Sequence, residues 1–302
     1  MTIKFYCPNC DAIIAFDSKH SGKRARCITC GQIFIIPQKD DEIPKKIKAE
    51  PKPKGDPVPG FYYAVFIKSW KLFFDPQNAT SLVFVIAVVC FKFFLAKACC
   101  LNYISFVLVW GWLLAFYLNI IYETAFEIDQ FPQIQLAASD FLGLTALAWY
   151  VIKPFLIFSY TMFIIQLPFI IALALLEGKG VTYENMWQAH TGLHLLLQAL
   201  FIFDLFLFPM AVLTTAVGKD ITLLRPDYIL IPVFKTPIPY LIVVALLVTA
   251  CVLEMQTTQY DGSAFLITAR NLAVNLAVQI IAIIAMRSIG LFYRHYSCHF
   301  PW

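Results

Sequence analysis

The 302-residue chain reads as a mainly α-helical, polytopic membrane bundle of about six spans, preceded by a small β module built around four cysteines. Three observations lead there. Hydrophobic residues make up 60% of the chain and charged residues 14%, with a mean hydropathy of +0.72. A soluble domain is about 45–50% apolar and about 25% charged. Apolar stretches near the roughly 20 residues that cross a hydrocarbon core recur between residues 80 and 292. Two C-x-x-C pairs, by contrast, lie in the polar first 37 residues.

Lys and Arg crowd into the first 71 residues and thin out beyond Asp75, so the net charge of +4 is mostly an N-terminal property. Residues 1–20 lack an apolar h-region, and no signal peptide is expected. The nine cysteines form an odd total without a regular framework, which argues against a secreted disulfide scaffold. Cys90, Cys99, Cys100, Cys251 and Cys298 read as small apolar packing residues.

Cys7, Cys10, Cys27 and Cys30 are the other four. Their pattern is C-x-x-C, sixteen residues, C-x-x-C, within the window expected of a four-cysteine zinc site. Each C-x-x-C makes a tight knuckle aiming two thiolates at one ion, and two knuckles complete a tetrahedron. Pro8 pre-sets the first knuckle, and Gly31 supplies a permissive backbone after the second. Alternating or β-branched runs at 2–6, 12–16 and 32–36 predict strands, with SKHSGK as the turn between the halves. So short a module cannot bury enough apolar surface to fold unaided, and the metal would supply the missing stability.

The stretch FYCPNCDAIIAFDSKHSGKRARCITCGQIFIIP resembles a small bacterial and archaeal zinc-ribbon family of the form F-x-C-P-x-C…G-x-x-x-x-C-x-x-C-G-x-x-F-x-x-P. The resemblance covers 5–37, includes Gly22 and Pro37, and implies Cys7, Cys10, Cys27 and Cys30 as ligands of Zn2+. It implies no catalytic activity, because all four positions are closed by protein. Lys19, His20, Lys23, Arg24 and Arg26 form a modest basic patch. Phe16 is the one ring nearby, so interleaved aromatics for base stacking are lacking, and a solvated or headgroup-facing surface is favoured over nucleic-acid binding.

Residues 38–60, QKDDEIPKKIKAEPKPKGDPVPG, read as an extended, disordered tether of Pro and Lys. Residues 61–74, FYYAVFIKSWKLFF, combine aromatics with Lys68 and Lys71. They suit an interfacial helix with snorkelling lysines, or a short apolar helix docked on the bundle. Spans are expected at 80–101, 103–122, 149–176, 192–217, 237–254 and 271–292. The third holds Pro154 and Pro168 and is long enough to kink, or to hide a re-entrant piece.

Basic residues before the first span, in loop 219–236 and at Arg294 outnumber Lys97, Lys179 and Arg270 on the other side. With six spans this places both termini in the cytosol, a reducing compartment suited to zinc thiolates. The acidic loop 123–140 has no basic residue and lends this no support. AFYLNIIYETA, the segment FPMAVLTTAVGKDITLLRPDYILIPVFKTPIPYLIVV and the ending GLFYRHY…PW resemble a group of bacterial multi-spanning proteins, some with such a ribbon. That resemblance implies a six-helix architecture with cytosolic loops and no known reaction; an inner-membrane location with both termini in the cytosol is the expectation for the whole chain.

Ionisable groups within spans are functional candidates because burying them is costly. Asp204, in LFIFDLFLF, is the sharpest, as a carboxyl paired within the bundle with Arg287, Arg270 or Lys153, or as a proton or solute site. Lys92, in CFKFF, is expected to face a polar partner or an interface. His190 and His194 share a helical face, but metal binding needs further ligands, of which Glu184 is the nearest candidate, and the H-E-x-x-H glutamate is missing. No phosphate loop, nucleophile elbow or kinase signature appears. The chain is therefore expected to be a non-enzymatic membrane protein whose ribbon meets a cytosolic protein. A solute transporter using Asp204 stands second, and a tethered nucleic-acid binder third.

Overall fold

The computed structural model describes residues 2–7, 13–17, 21–26, 33–37, 55–94, 102–132, 141–188, 191–218, 224–262 and 264–300. The chain divides into two units, Met1–Asp56 and Pro57–Trp302.

In the first unit, β1 (Thr2–Tyr6) pairs antiparallel with β2 (Ile13–Asp17), and β3 (Arg24–Arg26) with β4 (Ile33–Ile35). β3 was not expected, because three residues bearing two arginines carry no hydrophobic alternation. Backbone bonds from Gly22 N to Ile36 O (2.9 Å) and from Ile36 N to Lys23 O (3.0 Å) extend its ladder. Gly22 turns the chain at φ 76°, a left-handed conformation in which any side chain would be strained. Phe5 and Phe34 are buried and meet edge to face, 5.3 Å between centroids, which ties the hairpins together. Of the tether expected at 38–60, residues 38–54 lie outside the described residues. Val58, near its end, is held to His295: its N donates to the His295 carbonyl at 2.8 Å, and its own carbonyl oxygen lies 2.8 Å from His295 Nδ1.

The second unit opens with a helical run at 61–74, α1, whose middle, Ala64–Lys68, is π-wound. There Ser69 Oγ donates to the Ala64 carbonyl at 3.1 Å, satisfying a buried hydroxyl in the widened turn. Phe61, Ala64, Val65 and Leu72 are buried, whereas Tyr62, Tyr63, Phe66, Ile67 and Trp70 are exposed. The two sequence alternatives thus describe its two faces. One docks on the bundle, with Phe61 against Phe292, His295 and Tyr296, and the other is an aromatic stripe.

Asp75, with Pro76 behind it, accepts from Gln77 N and starts the next helix. The helices that follow are α2 (Ala79–Phe94), α3 (Asn102–Ala125), α4 (Phe141–Glu177), α5 (Gly192–Gly218), α6 (Pro226–Lys235), α7 (Pro237–Met255) and α8 (Phe265–Tyr296). Six of them are long and apolar enough to cross a membrane. The long third segment is one continuous helix with Pro154 and Pro168 inside it.

Three expectations need correction. α4 begins at Phe141, before the expected 149, because the apolar run continues upstream. Loop 219–236 contains α6, begun by Pro226 and Asp227 and ended by Lys235, although Pro232 lies within it. α8 starts six residues before 271, because Arg270 is exposed near the helix end, where a charge is cheap.

α3 and α8 form the centre. A Cβ on Gly290 of α8 would lie 2.6 Å from the Ile121 carbonyl oxygen of α3, and one on Gly111 of α3 would lie 2.4 Å from Val151 of α4. Backbones approach this closely in lipid where small residues leave room for packing contacts. The second half of α5, Met210 to Leu213, joins the main core. Its first half packs instead on α4 in a smaller cluster with Phe169, Leu176, Met186 and Leu197.

Candidate functional sites

The paired strands bracket the cysteines in sequence. Tyr6 pairs with Ile13 and Arg26 with Ile33, so Cys7 and Cys10 fall in the connection 7–12 and Cys27 and Cys30 in the connection 27–32. A knuckle in each hairpin turn is the arrangement the spacing calls for. Cys7 is fully buried at the end of β1. Cys10, Cys27 and Cys30 lie outside the described residues, so the ligand set is complete only in the sequence. Of the basic patch, Lys23 is exposed, Arg24 and Arg26 lie on β3, and Lys19 is outside the described residues.

Arg287 does not meet Asp204. Its side chain is 3% exposed and donates through Nη2 to Asp129 Oδ1 at 2.8 Å. Arg294 Nη1 reaches the same carboxylate at 3.2 and 3.3 Å. Burial alone would raise the Asp129 carboxyl, but the hydrogen bonds and charges of the two arginines outweigh it and hold the group below the usual carboxylate range. The acidic loop that seemed unbalanced in the sequence is thus matched by α8. Glu127 ends α3 at φ 68°, with Ile128 N donating to the Glu123 carbonyl at 2.9 Å in the manner of a Schellman cap. Asn78 fastens the loop by accepting from Phe131 N at 2.8 Å and donating to the Leu72 carbonyl at 3.0 Å.

Asp204 is 4% exposed and takes a backbone hydrogen bond at Phe169, next to Pro168. Its Oδ2 has no partner among the described residues. Of the cations weighed for it, Lys153 and Arg270 are exposed and Arg287 is committed to Asp129. His194 is buried, with Nδ1 2.6 Å from Thr191 Oγ1 at the start of α5, a local capping contact. His190 lies outside the described residues, and no metal-holding cluster of His, Cys, Asp and Glu occurs among the described ones.

The most connected polar group is one that sequence reasoning touched only at Lys92. Lys92 pairs with Glu254 at the end of α7, and its Nζ stands 5.0 Å over the Trp110 ring. Gln279 of α8 donates to Glu254 Oε2 at 2.9 Å, and the Tyr117 hydroxyl of α3 donates to Gln279 Oε1. Asn275, one turn away, donates to the carbonyls of Thr258 and Asn271, both at 3.0 Å. Lys92 and Glu254 line a cavity of about 650 Å³ at one end of the bundle. Tyr260 folds over its edge, donating from N to the Phe93 carbonyl at 3.0 Å with its ring 5.5 Å from that of Phe94. Glu254, the single acid of the fifth span, was the available signal.

No family model, curated protein or solved structure matches the chain. The resemblances of the cysteine module and of the membrane segments therefore rest on the residues that carry them, and what can be stated plainly is a multi-span helical membrane protein.

Proposed function

We propose that this chain is a non-enzymatic, multi-pass inner-membrane protein. Its N-terminal ribbon holds Zn2+ through Cys7, Cys10, Cys27 and Cys30 and serves as a cytosolic handle for a protein partner. The observation that supports it is Cys7, buried directly after the strand that carries Phe5, in a sequence that sets one C-x-x-C between the paired strands β1 and β2 and the other between β3 and β4. Four protein thiolates would close the metal's coordination, so zinc would supply folding energy and no open catalytic position. The lysine and arginine distribution favours the cytosol for both termini, where thiols stay reduced.

The test is proximity crosslinking in native membranes with wild type, with a Cys27→Ser/Cys30→Ser variant and with residues 1–37 deleted. A cytosolic protein captured by wild type and lost in both variants, at equal membrane insertion, is the expected result. Equal capture by all three overturns the reading. A second reading, a small-solute transporter or channel subunit, has one observation in its favour, the unpartnered buried oxygen of Asp204. A stable Asp204→Asn variant with unchanged solute flux would remove it.

A further inference from the structure

The cavity at the Lys92 end of the bundle has the features of a binding site and not of a packing defect. Its volume, about 650 Å³, lies within the roughly 300–1,000 Å³ of small-molecule sites. Its described lining contains two charges, Lys92 and Glu254, of opposite sign and touching each other. Their side chains remain 13% and 19% exposed, so the pair is accessible from the cavity. The rest of the described wall combines apolar and aromatic residues, Phe106 and Trp110 among them, with uncharged polar ones such as Ser105, Thr258, Gln259 and Asn275.

Net charge selects the class of ligand. A cation or anion alone would enter with its charge uncompensated, since the charges of the described lining already cancel, and desolvating it would cost several kcal/mol. A zwitterion can lie antiparallel to the Lys92–Glu254 pair, its anionic group on the remaining ammonium donors and its ammonium on the carboxylate. The Trp110 ring, 5.0 Å from Lys92 Nζ, helps hold the ammonium that would meet the ligand's anionic group and offers an aromatic wall to its apolar body. Gln279 holds one carboxylate oxygen of Glu254 and is itself held by Tyr117, so the acceptor is oriented before any ligand arrives.

We propose that this cavity binds a net-neutral zwitterion, a primary ammonium and an anionic group on an apolar body, against Lys92, Glu254 and Trp110. Two sources share that chemistry: a free apolar amino acid, and the headgroup of phosphatidylethanolamine.

The experiment uses the full-length protein in phosphatidylglycerol nanodiscs. One arm titrates L-phenylalanine by calorimetry, beside phenethylamine and phenylpropionate, which each keep one of its charges. The other adds phosphatidylethanolamine to the disc and reads retained lipid by native mass spectrometry. Binding in either arm is expected, and in the soluble arm the single-charge probes should bind about tenfold weaker or worse. Glu254→Gln should lose binding by a similar factor. Thr258→Trp, which fills the cavity from its rim and leaves the ion pair intact, should abolish it even if Glu254→Gln misfolds. Retention in the lipid arm alone assigns the site to the headgroup, and binding in the soluble arm alone assigns it to the amino acid. No binding in either arm, equal affinity for the single-charge probes, or undiminished binding by a folded Thr258→Trp protein overturns the proposal.

Discussion

The two units of this chain reach order by different routes. Pro57–Trp302 is held by burial along its length: α3 and α8 meet at Gly290, and the acidic end of α3 is fastened to α8 by Arg287 and Arg294. Among its described residues, Met1–Asp56 offers four short strands and a Phe5–Phe34 contact, and so short a module buries little apolar surface to repay the entropy of ordering. One unit gets its stability from many contacts, so no single loss should dissolve it. The other, on the proposed reading, gets it from one metal, so a single loss should. Perturbations of each ought therefore to differ in kind.

The largest effect is expected from Cys27→Ser or from chelation. Removing a structural zinc forfeits binding energy on the order of 10 kcal/mol, which for so small a module is its folding energy. Residues 1–37 should become fully protease-sensitive while helical circular dichroism of the full chain stays unchanged. If helicity falls in step, the two units do not depend on separate sources.

Asp129→Ala comes next, at about 3–5 kcal/mol, because it strands the buried Arg287 without its carboxylate. Chemical denaturation followed by tryptophan fluorescence measures it, and zinc content should not change. The same carboxylate gives a pH signature. Its folded value lies below its unfolded one of about 3.9, so its contribution is present above about pH 4 and is lost as pH falls through the folded value. Asp129→Asn should flatten that acid limb.

Gly290→Leu should cost about 1–3 kcal/mol or more, since a side chain has no room between α8 and the Ile121 carbonyl. Thermal unfolding in detergent reads the loss. The smallest effect has the opposite sign. Glu127→Gly should stabilise by roughly 1 kcal/mol, relieving a left-handed φ at the loss of a 3.9 Å contact with Arg294. No change in denaturation midpoint would mean the cap is not strained.

The sequence announced the spans well, because lipid imposes length and apolarity on each segment independently of its neighbours. α6 escaped because Pro232 and its short length look like loop, although Arg225-Pro226-Asp227 was a readable start. α8 starts at Phe265, before the expected 271, because the exposed Arg270 costs little near the helix end. The sites divide the same way. The cysteine spacing is a local pattern and predicts its own geometry. The Lys92–Glu254–Gln279–Tyr117 network joins residues from four helices, with Lys92 and Glu254 separated by 162 positions, so no local pattern marks it. Asp204 is buried, but of the three cations weighed for it Arg287 is taken by Asp129, a loop residue whose role depends on how α3 ends, and Arg270 and Lys153 are exposed.

The most direct measurement is the metal content and sulfur coordination of the purified full-length protein. Elemental analysis should find a single zinc ion per chain, X-ray absorption should show four sulfur neighbours near 2.3 Å, and Cys7→Ser should lose the metal. A protein that carries no zinc, or a Cys7→Ser variant that keeps it with unchanged coordination, would contradict the account.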